Sequence, residues 1–205
     1  MSFLSTAEKD RIAEAIRRAE TATSGEIVTV IARSSDAYLF IPLLWASVAA
    51  LTVPVIALSI DPWMSPVILY VIQLLVFAAL ALVFRWAPVK MRLVPRGVKR
   101  RRAGRLAREQ FLVQGLHRTE GRGGVLLFVS VAERHVEVLA DSGIDEKAPP
   151  GTWDSVVGAL IGRVRQGRVG DGFVEAVDTL GALLAEHFPA PAGGRNELPN
   201  HLVEI

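Results

Sequence analysis

A chain of 205 residues is long enough for one ordinary domain and a small extra element. With 23 basic and 21 acidic residues its net charge is only +2, yet the sequence pI is 9.3, hydrophobic residues reach 51% and mean hydropathy is +0.35, above an average soluble domain. There is no cysteine, which excludes disulfides, thiolate zinc sites and cysteine nucleophiles.

The chain opens with "STAEKDRIAEAIRRAETATSGE", polar and helical in pattern, and no signal peptide is visible in residues 1–35. Ser5 precedes Glu8 by three residues, a capping box, and Ile12, Ile16 and Ala19 share one helical face. Ser24 and Gly25 are expected to end the helix. "EIVTVIAR" follows, with β-branched residues on both faces, which predicts an interior strand.

Two uncharged runs come next. Between Asp36 and Asp61 lie 24 residues without a charge, and between Asp61 and Arg85 another 23. A helix needs roughly 20 apolar residues to cross a hydrocarbon core of about 30 Å, and a buried helix of a soluble core usually keeps a polar stripe. The spacing therefore predicts a two-helix transmembrane hairpin over residues 37–89, turned by Asp61 and Pro62, with Trp63 and Tyr38 at headgroup level. Neither span contains an ionisable residue, which argues against a transport path.

Nine basic residues and no acid follow: Lys90, Arg92, Arg96, Lys99, Arg100, Arg101, Arg102, Arg105 and Arg108. Without them the chain holds 14 basic against 21 acidic residues, so it is an acidic protein with a basic collar. The positive-inside rule then places both termini in the cytoplasm and the short loop outside, across a bacterial-type inner membrane. The segment 90–101, with Arg102, is expected to contact anionic lipid of the bilayer surface. A nucleic-acid partner is not expected, since no basic face on a folded module with aromatics or a reading helix is evident.

The soluble pattern then resumes. "RRAGRLAREQFLVQGLHR" predicts a second amphipathic helix through Ala103, Ala107 and Phe111 with Leu106 and Val113, ending near Gly115. "GVLLFVSV" is a strand buried on both sides, "AERH" a short turn and "VEVLA" a third strand. "TWDSVVGALIGRVRQG" is a third helix capped by Thr152. "GDGFVEAVDTLGALLAEHF" is a fourth, with Phe173, Val177, Leu180, Leu184 and Phe188 on one face. The tail, residues 189–205, begins as a Pro/Gly linker. Three strands and four helices can close a layered α/β core, in two parts, 1–36 and 102–188, around the hairpin.

Candidate chemistry is sparse. His117, His135, His187 and His201 show no ligand spacing and are read as solvated. No Gly-x-Ser-x-Gly elbow or phosphate loop is present. Past the third strand, Asp141, Asp145 and Glu146 in "ADSGIDEKAPPG" supply oxygens of the kind that hold calcium or magnesium. The plainer reading, and the one preferred, is that Asp141 and Ser142 with Gly143 make a turn.

The order of these elements, with "GVLLFVSVAERHVEVLADSGIDE" and the later "VRQGRVGDGF" at residues 164–173, resembles the TPM domain. That family includes thylakoid proteins of photosystem II repair, an auxiliary subunit of an acetylcholine receptor and many bacterial membrane proteins. The resemblance implies an α/β sandwich, a small central sheet with helices on its faces. It also implies, where the ligands match, calcium at an acidic loop and weak acid phosphatase activity. Relatives with the metal site carry Asp-Asn-Gly ahead of the central strand, where this chain has Arg122, Gly123 and Gly124, and Gly-Tyr-Gly-Leu-Glu after the next strand, where it has "DSGIDE". Arg122 is expected to pair with Asp141 or Glu120 if the loops meet. The expectation is therefore a noncatalytic interaction or assembly module, without cofactor, facing a membrane protein partner. The alternative is a tethered metal-dependent acid phosphatase using Asp141, Asp145 and Glu146.

Overall fold

Residues 3–119, 122–149, 151–190 and 197–205 are described by a computed structural model. The chain divides into two compact units, Met1–Ser35 with Arg101–Ile205, and Asp36–Arg100.

In the first unit, helix α1 (Thr6–Ala22) starts where its sequence says it should. The Glu8 amide donates to Ser5 Oγ at 3.3 Å and the Ser5 amide to Glu8 Oε2 at 2.9 Å, satisfying two amides that a helix end would leave unpaired. Its apolar face, Ile12, Ala15, Ile16 and Ala19, is buried. Strand β1 (Glu26–Ala32) follows, with all seven residues buried. Its continuous apolar run is explained by its position, because both sides and both faces are covered.

On one side β1 pairs in parallel with β2 (Gly124–Ser130), Glu26 opposite Gly124 and Ala32 opposite Ser130. β2 pairs antiparallel with β3 (His135–Ala140). On the other side lies a strand that the sequence reading did not assign. Leu202–Glu204, in the expected tail, forms β4, parallel to Thr29–Ile31 of β1, and the sheet order is β3-β2-β1-β4. The Ile205 amide donates to Ile31 O at 3.0 Å and the Arg33 amide to Ile205 O at 2.8 Å, so the chain end is part of the sheet.

Two parallel strands cannot be joined by a tight turn; the connection must cross a face of the sheet. Here residues 36–100 form a unit of their own within that crossover. They comprise α2 (Phe40–Ile60), α3 (Pro66–Phe84), α4 (Ala87–Leu93) and the first residues of α5 (Arg96–Val113). The rest of α5 lies on the sheet through Ala103 and Ala107, against Val28, Val30, Ala32, Leu126 and Phe128. The opposite face carries α1 with α7 (Thr152–Arg165) and α8 (Val169–His187). There Leu160, Phe173, Val177, Leu180 and Leu184 pack with Ile27, Ile31, Val125 and Leu127. The α7–α8 turn belongs to the "VRQGRVGDGF" motif: Gly167 takes φ 75°, a conformation open to glycine at no steric cost, and Arg168 then pairs with Asp171 at 2.9 Å.

Several local expectations need correction. Thr152 is not the cap of α7. Gly151 holds that position with φ 83°, and Thr152 Oγ1 instead donates to the Pro149 carbonyl at 2.6 Å. Val113 is not on the buried face of α5 but 68% exposed. All of the basic segment 90–101 except Val94 and Pro95 is helical, in α4 and the start of α5.

In the second unit, α2 and α3 are both long and apolar enough to cross a membrane, with mean hydropathy 2.2 and 2.8. They pack together, and Ala46 and Ala50 of α2 are buried. Asp61 turns the chain between them, its Oδ1 accepting from the Trp63 amide at 3.0 Å, and Trp63 is 93% exposed. Tyr38, expected at headgroup level, is buried with Ile41 and Val94 and has φ 51°.

Candidate functional site

The antiparallel register of β2 and β3 sets the start of one beside the end of the other. The loop before β2 therefore meets the segment after β3, and the Asp141 amide donates to Gly124 O at 2.9 Å. Arg122, in the left-handed conformation at φ 54°, directs its guanidinium across this junction. Its Nη1 donates to Ser142 Oγ at 3.1 Å and stands 3.8 Å from Asp141 Oδ1. Glu120, the other partner considered, lies outside the described residues.

Gly123 and Gly124 have structural work at this junction. Gly123 O accepts from the Glu26 amide at 3.0 Å. A Cβ on Gly124 would come within 2.5 Å of the Leu116 carbonyl oxygen, a separation that real side chains do not tolerate.

Asp141 does not simply make a turn. It caps a one-turn helix, α6 (Ser142–Asp145), with its Oδ1 accepting from the Ser142 amide at 2.7 Å, while Oδ2 is buried without a hydrogen-bond partner among the described residues. Asp145 Oδ1 accepts from Trp153 Nε1 at 3.4 Å, and Glu146 follows as the C-cap of α6. Asp141, Asp145 and Glu146 are thus brought close in sequence but not convergent. Among the described residues no three His, Cys, Asp or Glu side chains form a group that could hold a metal. The guanidinium beside Asp141 opposes a cation there as well. The residues present do not fit the metal site that the resemblance implies.

The basic residues are disposed unevenly. Lys90 Nζ donates to Ala37 O at 2.9 Å and Lys99 Nζ to Met91 O, so both amines are partly committed to backbone. Arg102 is half-buried, whereas Arg92, Arg96, Arg100, Arg101, Arg105 and Arg108 are exposed. Of the histidines, His135 is not solvated: its Nε2 lies 2.8 Å from Glu137 Oε2, since alternate residues of a strand share a face.

Two polar clusters escaped the sequence reading. At the far end of β2, Glu133 in the hairpin turn is buried. It accepts from Ser34 Oγ at 3.1 Å and the Ser35 amide at 3.0 Å, and also from Ser130 Oγ. The turn thereby fastens the residues that leave β1. The second cluster holds the chain end. Glu26 Oε1 accepts from the Glu197 amide at 2.9 Å, while Glu20 accepts from the Ile27 amide at 3.0 Å and from Asn200 Nδ2. Burial pushes the Glu20 carboxyl up to about 7, with the Glu26 charge adding to it, and burial likewise raises Glu26. Local sequence marks neither cluster, because each is completed from a distant part of the chain, by Ser34 and Ser35 in one and by Glu197 and Asn200 in the other.

Residues 96–183 match the TPM domain family. In three dimensions the chain is similar to the BA42 protein of the psychrophilic bacterium Bizionia argentinensis, whose structure was solved by NMR. The TM-score is 0.64 at 20% identity, with 100% of this chain and 97% of that one covered. At that identity the likeness speaks to the fold. No curated protein matches the chain. The family match takes in α5, the β2–β3 hairpin, α6, α7 and most of α8, so it is this part of the chain that is similar to the TPM domain.

Proposed function

We propose that this chain is a TPM domain anchored in the inner membrane by α2 and α3, with both termini in the cytoplasm, and that it serves as a noncatalytic docking module for a membrane protein partner. The observation that carries the reading is Arg122, whose guanidinium stands 3.8 Å from Asp141 Oδ1 where a metal-binding relative would present a carboxylate. Two unit charges about 4 Å apart interact by about 4 kcal/mol at an effective dielectric of about 20. Arg122 is 65% exposed, so solvent weakens the effect, but its sign is against a divalent ion. The length and hydropathy of α2 and α3 and the run of basic residues after them support the anchored arrangement.

A second reading is a tethered metal-dependent phosphatase built on Asp141, Asp145 and Glu146. One observation favours it: Asp141 Oδ2 is buried with no hydrogen-bond partner among the described residues, the state of an acceptor open to a cation or a donor.

Calorimetry with calcium and magnesium on the full chain in nanodiscs, alongside hydrolysis of an aryl phosphate, separates the two. The docking reading expects no saturable heat at millimolar ion and no turnover. Saturable binding that is lost in Asp141→Asn, with turnover, would establish the phosphatase. Arg122→Asp sharpens the test: it is expected to introduce measurable calcium binding, and to lower stability in the absence of the ion because a second carboxylate then faces Asp141.

A further inference from the structure

Helix α5 has one side pressed on the sheet through Ala103, Gly104 and Ala107. Flanking that side, Arg101, Arg105, Arg108 and Leu112, all exposed, follow at spacings of four, three and four, a single stripe along the helix. Among the described residues none of the three arginines is in an ion pair. Glu109, to the side of the stripe, is the one carboxylate between Lys90 and Thr119. Where the cations end, the surface turns apolar: Leu112 is 58% and Val113 68% exposed. Beside them a hollow of about 290 Å3 is lined by Arg108, Phe111, Leu112, Leu139 and Ala140. Cations followed by exposed apolar side chains on one helix suit an interface that is anionic at the surface and oily beneath it.

Resting on the anchored reading above, we infer that this stripe of α5 seats on anionic lipid, with Arg101, Arg105 and Arg108 at the headgroup phosphates and Leu112 and Val113 below them. The charges favour lipid over a protein partner, because a stripe of one sign next to aliphatic side chains matches phosphate over acyl chain without needing a shaped counterpart. Each arginine near an anionic leaflet contributes about fivefold to the docked population, so three contribute on the order of a hundredfold.

The chain has no cysteine, so Leu112→Cys carrying an environment-sensitive fluorophore is a unique reporter on the full chain. The chain is placed in nanodiscs of phosphatidylcholine alone or mixed with phosphatidylglycerol. The expected result is a blue-shifted emission, shielded from an aqueous quencher, in the anionic discs alone. It should be lost at about 1 M salt, where the screening length falls to about 3 Å. It should also be lost when the three arginines become alanine and be retained when they become lysine. A water-like probe in anionic discs overturns the inference, as does shielding that is equal in both lipids and indifferent to the arginines, which would mean that protein covers the stripe. A second reporter, Leu75→Cys in α3, tests the anchor separately. If it too reads water, the anchored reading has failed; if it reads hydrocarbon while the probe at residue 112 reads water, only this inference has.

Discussion

The two faces of the sheet are covered in opposite ways. One carries three helices that bring large side chains, Ile12, Ile16, Leu160, Phe173, Val177, Leu180 and Leu184, onto Ile27, Ile31, Val125 and Leu127. The other is covered by α5, whose buried positions are Ala103, Gly104 and Ala107 and whose exposed ones are largely arginine. On the first face the sheet is held by apolar volume, at about 25 cal/mol for each Å2 removed from water. On the second, small residues let the α5 backbone come close to Val28, Val30, Leu126 and Phe128, so fit matters more than area. The same helix can then keep its outer side free for charge.

This contrast can be broken from either face, by urea unfolding of the full chain in detergent followed by circular dichroism. The largest effect is expected on the volume-filled face: Phe173 is fully buried, and Phe173→Ala should lower stability by about 3–5 kcal/mol, the usual cost of a large core cavity. A loss below about 1 kcal/mol would mean that α8 is not a pillar of the core. On the close-fitting face the damage should come from adding atoms. Gly124→Ala drives a methyl to within 2.5 Å of Leu116 O, and overpacking of this kind should cost about 1–3 kcal/mol. A neutral result would show that the turn after α5 yields freely.

The smallest effect concerns the edge where the chain end closes the sheet. Glu20 has a folded pKa of about 7 against an ordinary value near 4.5. The folded state therefore holds a proton that the unfolded chain has lost between those values. The associated stability is fully present below about pH 4.5 and is lost as pH rises through about 7. With allowance for solvent around a partly exposed group, the change is about 1–2 kcal/mol. Stability measured from pH 5 to pH 8 should fall by that amount, and Glu20→Gln should flatten the slope. A flat profile in the unsubstituted chain would show that Glu20 is not held as the geometry indicates.

Local pattern carried a large part of this protein. The Ser5–Glu8 capping box, the β1 and β2 runs, the α8 face and the two uncharged stretches depend on neighbours a few residues apart, and each was readable as it stands. The α5 face was fainter, since alanine and glycine leave little hydrophobic signal among arginines, and Val113 was misplaced for that reason. At the candidate site, the departure at Arg122 was visible in sequence, but its 3.8 Å approach to Asp141 needed the β2–β3 register.

By itself the sequence determined two apolar segments set inside an α/β chain and the basic run after them, because hydrophobic length, alternation and charge are local sums. Only the tertiary structure decided that residues 202–204 complete the sheet, that Glu20 and Glu26 receive the chain end, that Glu133 fastens the exit of β1 and that Tyr38 is buried. Strand pairing and the desolvation of a carboxylate are created by residues that meet only after folding, 171 positions apart in the case of Glu26 and Glu197, and no local pattern encodes such a meeting.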